Sequence, residues 1–288
     1  MTVRDHGFAE RIIIVNDSYA SGLPEGLAGQ EQGRMATAVE LAILAGDSTL
    51  KYFRSRDYQV ERKNDRSPVT IADKNAEQLI RQELAKRYST DAVLGEEFGA
   101  IDGQSEYRWI VDPIDGTKSF ISGVPLYSTL VAVTRNGIPT IGVIYIPALK
   151  EIIVAAIGHG AWYREGQSAW QRARVSNLDT LSEGLFVTSQ ADNFDARGAR
   201  VSLDQLTEAS YVTRTWGDGY GYLLVATGRA EVMIDPICNP WDIAAVLPVI
   251  EEAGGKFTDW KGLSKIDTGD GVGSNGKVHE QVLAILKK

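Results

Sequence analysis

A chain of 288 residues, 43% hydrophobic and 24% charged, is long enough to bury a substantial core as one large domain or two ordinary ones. Its 30 basic and 38 acidic residues leave a net charge of −8, which speaks against nucleic-acid or anionic-membrane partners, since both need clustered Lys and Arg. A single cysteine, Cys238, excludes an intrachain disulfide and a cysteine-based zinc site, and the scattered His6, His159 and His279 offer little to a histidine-rich centre. No apolar run approaches the roughly 20 residues that cross a bilayer. The N-terminus has no signal-peptide layout, so a cytoplasmic protein is expected.

Residues 1–34 mix a short apolar run with helix-breaking Ser-Gly, Pro-Glu-Gly and Ala-Gly-Gln stretches, and are expected to form a loose extension before Met35 opens the compact fold. From Met35 to about Arg56, Val39, Leu41, Ala42, Leu44, Ala45 and Phe53 predict an amphipathic helix. A second is predicted from Thr70 to Tyr88, with Ile71, Leu79, Ile80 and Leu84 inward. Strands follow at Tyr107–Asp112, Tyr127–Thr134, Thr140–Tyr145, Glu151–Ile157 and Ala161–Arg164. Their short connections, Asn136-Gly137 above all, favour an antiparallel sheet. Beyond Val175 the pattern alternates. Strands are expected at Gly184–Ser189, Tyr211–Arg214, Ala230–Ile234 and Lys256–Asp259, with helices at Ala196–Ala209, Gly219–Thr227, Trp241–Ala253 and Lys277–Lys287. The expected organisation is an α+β metal-binding half over 35–175 and an α/β half over 176–288 that completes the active site.

The chemistry concentrates in acids. In Trp109-Ile110-Val111-Asp112-Pro113-Ile114-Asp115-Gly116-Thr117, apolar residues run to a strand end and two acids follow, three residues apart, across a Pro-containing turn. Two carboxylates so placed can converge on one point, and the Ile114 carbonyl can join them. Hard divalent cations want such oxygen ligands. Gly116 and Thr117, opening a short helix, offer amides to an anion beside the cations. Turn formation alone accounts equally well for Asp112 and Asp115. Leu94-Gly95-Glu96-Glu97 places paired acids after another apolar run, where a solvated loop is the plainer explanation. Asp73 fits N3 of a capping box begun by Thr70, and Asn239-Pro240-Trp241-Asp242 fits a helix N-terminus. Each has a sufficient local explanation; their order along the chain is distinctive.

That order, Gly95-Glu96-Glu97, Asp112 to Thr117, then Pro240-Trp241-Asp242 leading into Glu252-Ala253-Gly254-Gly255, resembles the inositol monophosphatase superfamily of Mg²⁺-dependent, lithium-sensitive phosphatases, over about Met35 to Lys288. The resemblance implies a layered αβαβα sandwich with its site between the two halves, and a homodimer. It implies two or three Mg²⁺, with Mn²⁺ suited to the same ligands. Glu96, Asp112 and the Ile114 carbonyl would hold one cation, and Asp112, Asp115 and Asp242 a second. Asp73 would support water activation and a weaker third. Thr117 would orient the attacking water and, with Gly116, bind phosphate. Lys63 lies in a segment that often flanks such a site.

Ser119 to Tyr127, Gly217 to Tyr222 and Asp259-Trp260-Lys261-Gly262 look like the histidinol-phosphate phosphatase branch, which implies hydrolysis of L-histidinol phosphate as part of histidine biosynthesis. Asp218 and Asp235 would accept bonds from the amine and imidazole of histidinol. Asp218 equally suits a helix N-cap, and enzymes of that branch tend to carry Glu near Asp235. The alternatives are inositol 1-monophosphate hydrolysis, a 3′(2′),5′-bisphosphate nucleotidase, whose pattern the residues after Lys118 fit poorly, and a catalytically silent regulatory binder.

Overall fold

The computed structural model describes residues 23, 30–55, 60–62 and 68–287, so Lys63 and most of the expected extension lie outside the described residues. The first half runs α1 (Gln30–Thr49), β1 (Val60–Arg62), β2 (Pro68–Thr70), α2 (Ile71–Arg87), β3 (Ala92–Gly95), β4 (Gly99–Ile101), β5 (Tyr107–Asp115), α3 (Thr117–Ile121), β6 (Ser128–Arg135), β7 (Ile138–Ile146), β8 (Glu151–Ala156), β9 (Gly160–Glu165) and β10 (Gln171–Arg172). The second runs β11 (Leu185–Thr188), α4 (Asp192–Ala196), α5 (Arg200–Ala209), β12 (Val212–Arg214), α6 (Gly219–Ala226), β13 (Val232–Asp235), α7 (Pro240–Ile243), α8 (Val246–Glu252), β14 (Lys256–Thr258), β15 (Gly271–Ser274) and α9 (His279–Leu286).

Two large sheets result. An eight-stranded sheet has the order β10-β9-β8-β7-β6-β5-β3-β4, antiparallel except where β3 lies parallel to β5. A five-stranded sheet has the order β12-β11-β13-β15-β14, with β12, β11 and β13 parallel. Side chains alternate faces along a strand, so a run that is apolar at every position serves two cores. Val131, Val133, Val143 and Val154 pack against α1 and α2, while Leu130, Ala132, Ile144 and Ile153 pack against α6 and α8. Val187 and Met233 of the smaller sheet share that middle core, while Phe186, Val232 and Ile234 face α5 and α9. The order helices, sheet, helices, sheet, helices is the expected αβαβα sandwich.

Several expectations need correction. The helix opens at Gln30, ahead of Met35, and Arg34 is buried. Its guanidinium lies 3.7 Å from the Tyr107 ring centroid and donates twice to Asp91, at 3.0 Å each. Asp91 also accepts from Trp109 Nε1 at 3.0 Å and Ser105 Oγ at 2.6 Å. The same helix stops at Thr49 rather than near Arg56: Ser48 and Thr49 turn their hydroxyls back onto Ala45 and Gly46 carbonyls, competing with continuation. On α2, Ile71 is exposed and Leu79 half-buried, while Asp73 and Glu77 take up the inner face with Ala72, Ala76, Ile80 and Leu84.

Strand β5 does not end at Asp112. It continues to Asp115 through an irregularity that spans Pro113, whose ring nitrogen cannot donate to the ladder. The helix expected over Trp241–Ala253 is two, because Pro248 has no N–H for the Ala244 carbonyl and the Ala245 carbonyl packs against Gly142. Strand β15 was not anticipated. Gly271 and Gly273 carry no strand signal, yet a Cβ at Gly273 would stand 2.8 Å from the Tyr222 ring, so glycine is what lets α6 lie on this strand.

Breaking a buried ion pair leaves an uncompensated charge, a loss of about 3–5 kcal/mol. Arg34→Ala should therefore lower the unfolding free energy by that amount in urea titrations. A loss under about 1 kcal/mol, the range of an exposed pair, would show that the pair does not anchor α1.

Candidate active site

The acids gather where strand ends meet helix starts. Glu96 follows β3, Asp112 and Asp115 close β5, Ser189 follows β11 and Asp235 ends β13. All four strands present their carboxyl ends, the crevice side of a parallel arrangement. Opposite them begin α3 at Thr117, α6 at Gly219 and α7 at Pro240. A pocket of about 350 Å³ lies between, lined by Glu96, Asp112, Ile114, Asp115, Gly116, Thr117, Asp218, Asp235 and Asp242 among others.

Asp112, Asp115 and Asp242 each bring a carboxylate oxygen within 4.8 Å of the other two, a set that could bind a metal ion. Local bonds aim each one. Ile114 N–H donates to Asp112 at 3.1 Å, and Ser128 Oγ donates to Asp115 at 2.6 Å, joined by the Gly219 amide. Asn239 N–H donates to Asp242 at 2.6 Å, the helix-start bond expected of that residue. Glu96 stands outside the tight group and shares a side-chain hydrogen bond with Asp112. The Ile114 carbonyl accepts from Thr117 Oγ1 at 3.1 Å, so both expected contributors meet at the pocket wall.

Asp73 does cap α2 as expected: one of its oxygens accepts from Thr70 N at 2.8 Å and Thr70 Oγ1 at 2.6 Å. Its other oxygen is buried and has no hydrogen-bond partner among the described residues. A capping role explains the first oxygen only.

Crowding of this kind holds protons on acids. Asp112 is raised well above the usual carboxylate range by burial and then by the charges of Glu96, Asp115 and Asp242. Burial and then Asp218 raise Asp115; burial and then Asp115 raise Asp242. Burial lifts Asp73 and Asp235 to about 6, and lifts Asp218, with Asp235 next to it, to about 7. His279 is no candidate acid or base. It is buried between Thr258 and Ser274 hydroxyls at 2.9 and 2.8 Å, and burial lowers it to about 4.

Asp218 occupies the N-cap position of α6 without a capping hydrogen bond. Its φ of +55° lies in a region that a side chain occupies at a cost of about 1–3 kcal/mol. Gly116 accommodates it, since a Cβ there would lie 2.7 Å from the Asp218 carboxylate. Asp235 accepts from Ser189 Oγ at 2.6 Å. Sequence reasoning missed Ser128, Ser189, Gln190 and Asn193. The last three enter the pocket through the β11–α4 junction, where Ser-Gln-Ala-Asp-Asn carries no signal beyond a polar loop. Lys118, which donates to Gln190 across the pocket, was equally silent.

An acid-walled pocket at the carboxyl ends of two sheets in this sandwich, with amides beside it, marks the class as phosphoric monoester hydrolases. The model of the inositol monophosphatase family matches residues 31–288, and the chain belongs to that family. A histidinol-phosphatase of Chlorobaculum parvum is 42% identical over 86% of this chain and 95% of its own. One of Streptomyces coelicolor is 36% identical over 86% and 94%. Among solved structures, the extragenic suppressor protein suhB of Bartonella henselae superposes with a TM-score of 0.82 at 28% identity, covering 89% of this chain and 99% of that one. No helix among the described residues is long and apolar enough to cross a membrane.

Acids with raised folded pKa values bind more protons in the folded than the unfolded state, so without metal they subtract stability as pH rises from about 4 to about 7. A cation must displace those protons, so its binding strengthens over the same window. The rise in melting temperature on adding Mg²⁺ to metal-free protein should be larger at about pH 8 than at about pH 5. Taking the difference with and without Mg²⁺ cancels the opposite contribution of His279. A larger Mg²⁺ effect in acid would contradict the assignment of the pocket as a cation site.

Proposed function

We propose that the chain hydrolyses L-histidinol phosphate to L-histidinol and phosphate with Mg²⁺ as its metal. The observation that carries the substrate is the pair Asp218 and Asp235, two carboxylates that line the pocket beside the three clustered acids and are bonded to no basic side chain among the described residues. Histidinol offers an amine and an imidazole, the cationic donors such a wall attracts. The relatives that are histidinol-phosphatases support the same reading.

Glu96, Asp112, Asp115, Asp242 and the Ile114 carbonyl would hold the cations, an all-oxygen set of the kind Mg²⁺ takes and Mn²⁺ accepts. Two features fit that assignment: among the described residues the clustered carboxylates form no ion pair, and Asp73 keeps a buried oxygen without a hydrogen-bond partner. When bound, the cations supply charge neutralisation and a more acidic water.

The protein's own groups do the positioning. The Gly116 and Thr117 amides, at the start of α3, bind phosphate oxygens. The Thr117 hydroxyl orients a water for in-line attack on phosphorus, and Glu96 with Asp73 takes up its proton. Asp73, lifted to about 6, is matched to that exchange near neutral pH. The new P–O bond forms as the bond to the histidinol oxygen breaks, and that oxygen is protonated from solvent.

Phosphate release from L-histidinol phosphate and from inositol 1-phosphate, with Mg²⁺ and with EDTA, tests this directly. A kcat/KM favouring histidinol phosphate and lost in EDTA is expected. Preference for inositol phosphate overturns the substrate, and no turnover of either in folded protein revives the silent binder. Asp112→Asn should lower kcat by about 10²–10³-fold or more while the chain still folds. Asp218→Asn should raise KM for histidinol phosphate about 10-fold or more, the worth of a charged hydrogen bond, with kcat little changed. An Asp218→Asn enzyme with wild-type KM would remove Asp218 from substrate recognition.

A further inference from the structure

Glu77 lies one helical turn after Asp73 on α2, is completely buried, and has no part in the chemistry above. Its Oε2 accepts from the Glu97 amide at 2.7 Å; its Oε1 accepts from the Phe98 amide at 3.2 Å and from Arg81 Nε at 2.7 Å. Arg81 in turn donates to the Gly99 carbonyl. One carboxylate thus gathers the two consecutive amides that follow Glu96 in the turn between β3 and β4. A buried carboxylate is costly unless paired and fully hydrogen-bonded, and an apolar side chain would fill the same space without that cost. Gly95 shows how closely the turn settles on it: a Cβ there would lie 2.1 Å from Glu77 Oε1. On its other side Glu96 is held by β5, through its amide to the Val111 carbonyl at 3.3 Å and its carboxyl to Asp112.

We propose that Glu77 is a positioning residue that holds Glu96 against Asp112 and thereby sets the affinity of the acidic pocket for a divalent cation; this rests on the reading of Glu96 as a metal ligand. Two amides arriving from one turn need two acceptor oxygens. Glutamine at the same place presents one acceptor and one donor, so it keeps the shape and loses the clamp. Helix α2 then serves the pocket twice, with Asp73 directly and with Glu77 through the neighbouring turn.

The test is calorimetric titration of Mg²⁺ alone into metal-free wild type, Glu77→Gln, Glu96→Gln and the double variant. Removing a partner that orients a ligand weakens metal binding by about 10–100-fold, and that loss is expected of Glu77→Gln. Because Glu77 acts through Glu96, the double variant should bind no more weakly than Glu96→Gln alone, a non-additivity that a purely structural role would not give. Wild-type affinity in Glu77→Gln, or a loss that adds fully to that of Glu96→Gln, overturns the proposal. Unchanged affinity in Glu96→Gln overturns the assignment of Glu96 as a ligand, and the proposal with it. Should Glu77→Gln not fold, Arg81→Gln loosens the same clamp from its solvent side. It should weaken Mg²⁺ about 10-fold, and unchanged affinity there is equally decisive against the clamp.

Discussion

Mutual repulsion among buried carboxylates is the constraint around which this protein is arranged. Asp112, Asp115 and Asp242 converge within 4.8 Å, with Glu96, Asp218 and Asp235 on the same pocket wall. Left in water, such a group would spread apart or take up protons. Here Asp112, Asp115 and Asp242 are each fixed by a bond from the backbone or a neighbouring hydroxyl, and burial together with neighbouring negative charge raises their affinity for protons. The folded chain is therefore under a load that a bound cation would relieve. Binding a phosphate dianion to a chain of net charge −8 becomes reasonable on the same grounds, since bound cations reverse the local field.

The sandwich supplies the rigidity this needs. Each long strand of the larger sheet is apolar on both faces, so it is gripped by α1 and α2 on one side and by α6 and α8 on the other. A strand held from both faces cannot shift register to let its terminal acid escape. The helices contribute at their N-termini, where unpaired amides and the helix dipole favour negative charge. The Gly219 amide reaching Asp115 is the clearest case. Layer order thus decides more than shape: it brings strand C-termini and helix N-termini to one crevice.

Two buried acids away from the pocket take a different form, each paired with an arginine. Arg34 with Asp91 ties the start of α1 to the turn before β3 and to Trp109 of β5. Glu77 with Arg81 ties α2 to the turn after Glu96. These pairs are satisfied and anchor elements; Asp112, Asp115 and Asp242 in the pocket are crowded and form no ion pair among the described residues. Asp218, held at φ +55° with its carboxylate against Gly116, belongs with the second group, as backbone strain at a binding surface often does.

Much of this was legible in the chain. Apolar periodicity located most of the larger sheet and the helices of the second half. Glu96, Asp112 and Asp115 could be picked out because acids ending apolar runs are visible in one dimension, whereas Asp73, Asp218, Asp235 and Asp242 stood out only through the resemblance of the whole order to a family. Other features were invisible for identifiable reasons. Strand β15 is written in glycines, because its side-chain space is occupied by Tyr222 from α6. The helix after Asn239 divides at Ala244 and Ala245, where local propensity gives way to the donor that Pro248 lacks and to the close approach of the Ala245 carbonyl to Gly142. Ser189, Gln190 and Asn193 reach the pocket only because two sheets close on each other, and a polar loop carries no mark of what it will face; Ser128 meets Asp115 only through the pairing of β5 with β6. Glu77 reads as an ordinary helical acid until β3 and its turn are laid against it. The sequence by itself determined which residues carry charge and which runs must be buried, since both follow from side-chain chemistry and period. Only the tertiary structure decided which charges meet, because that depends on how separate elements stack, a relation no local spacing records.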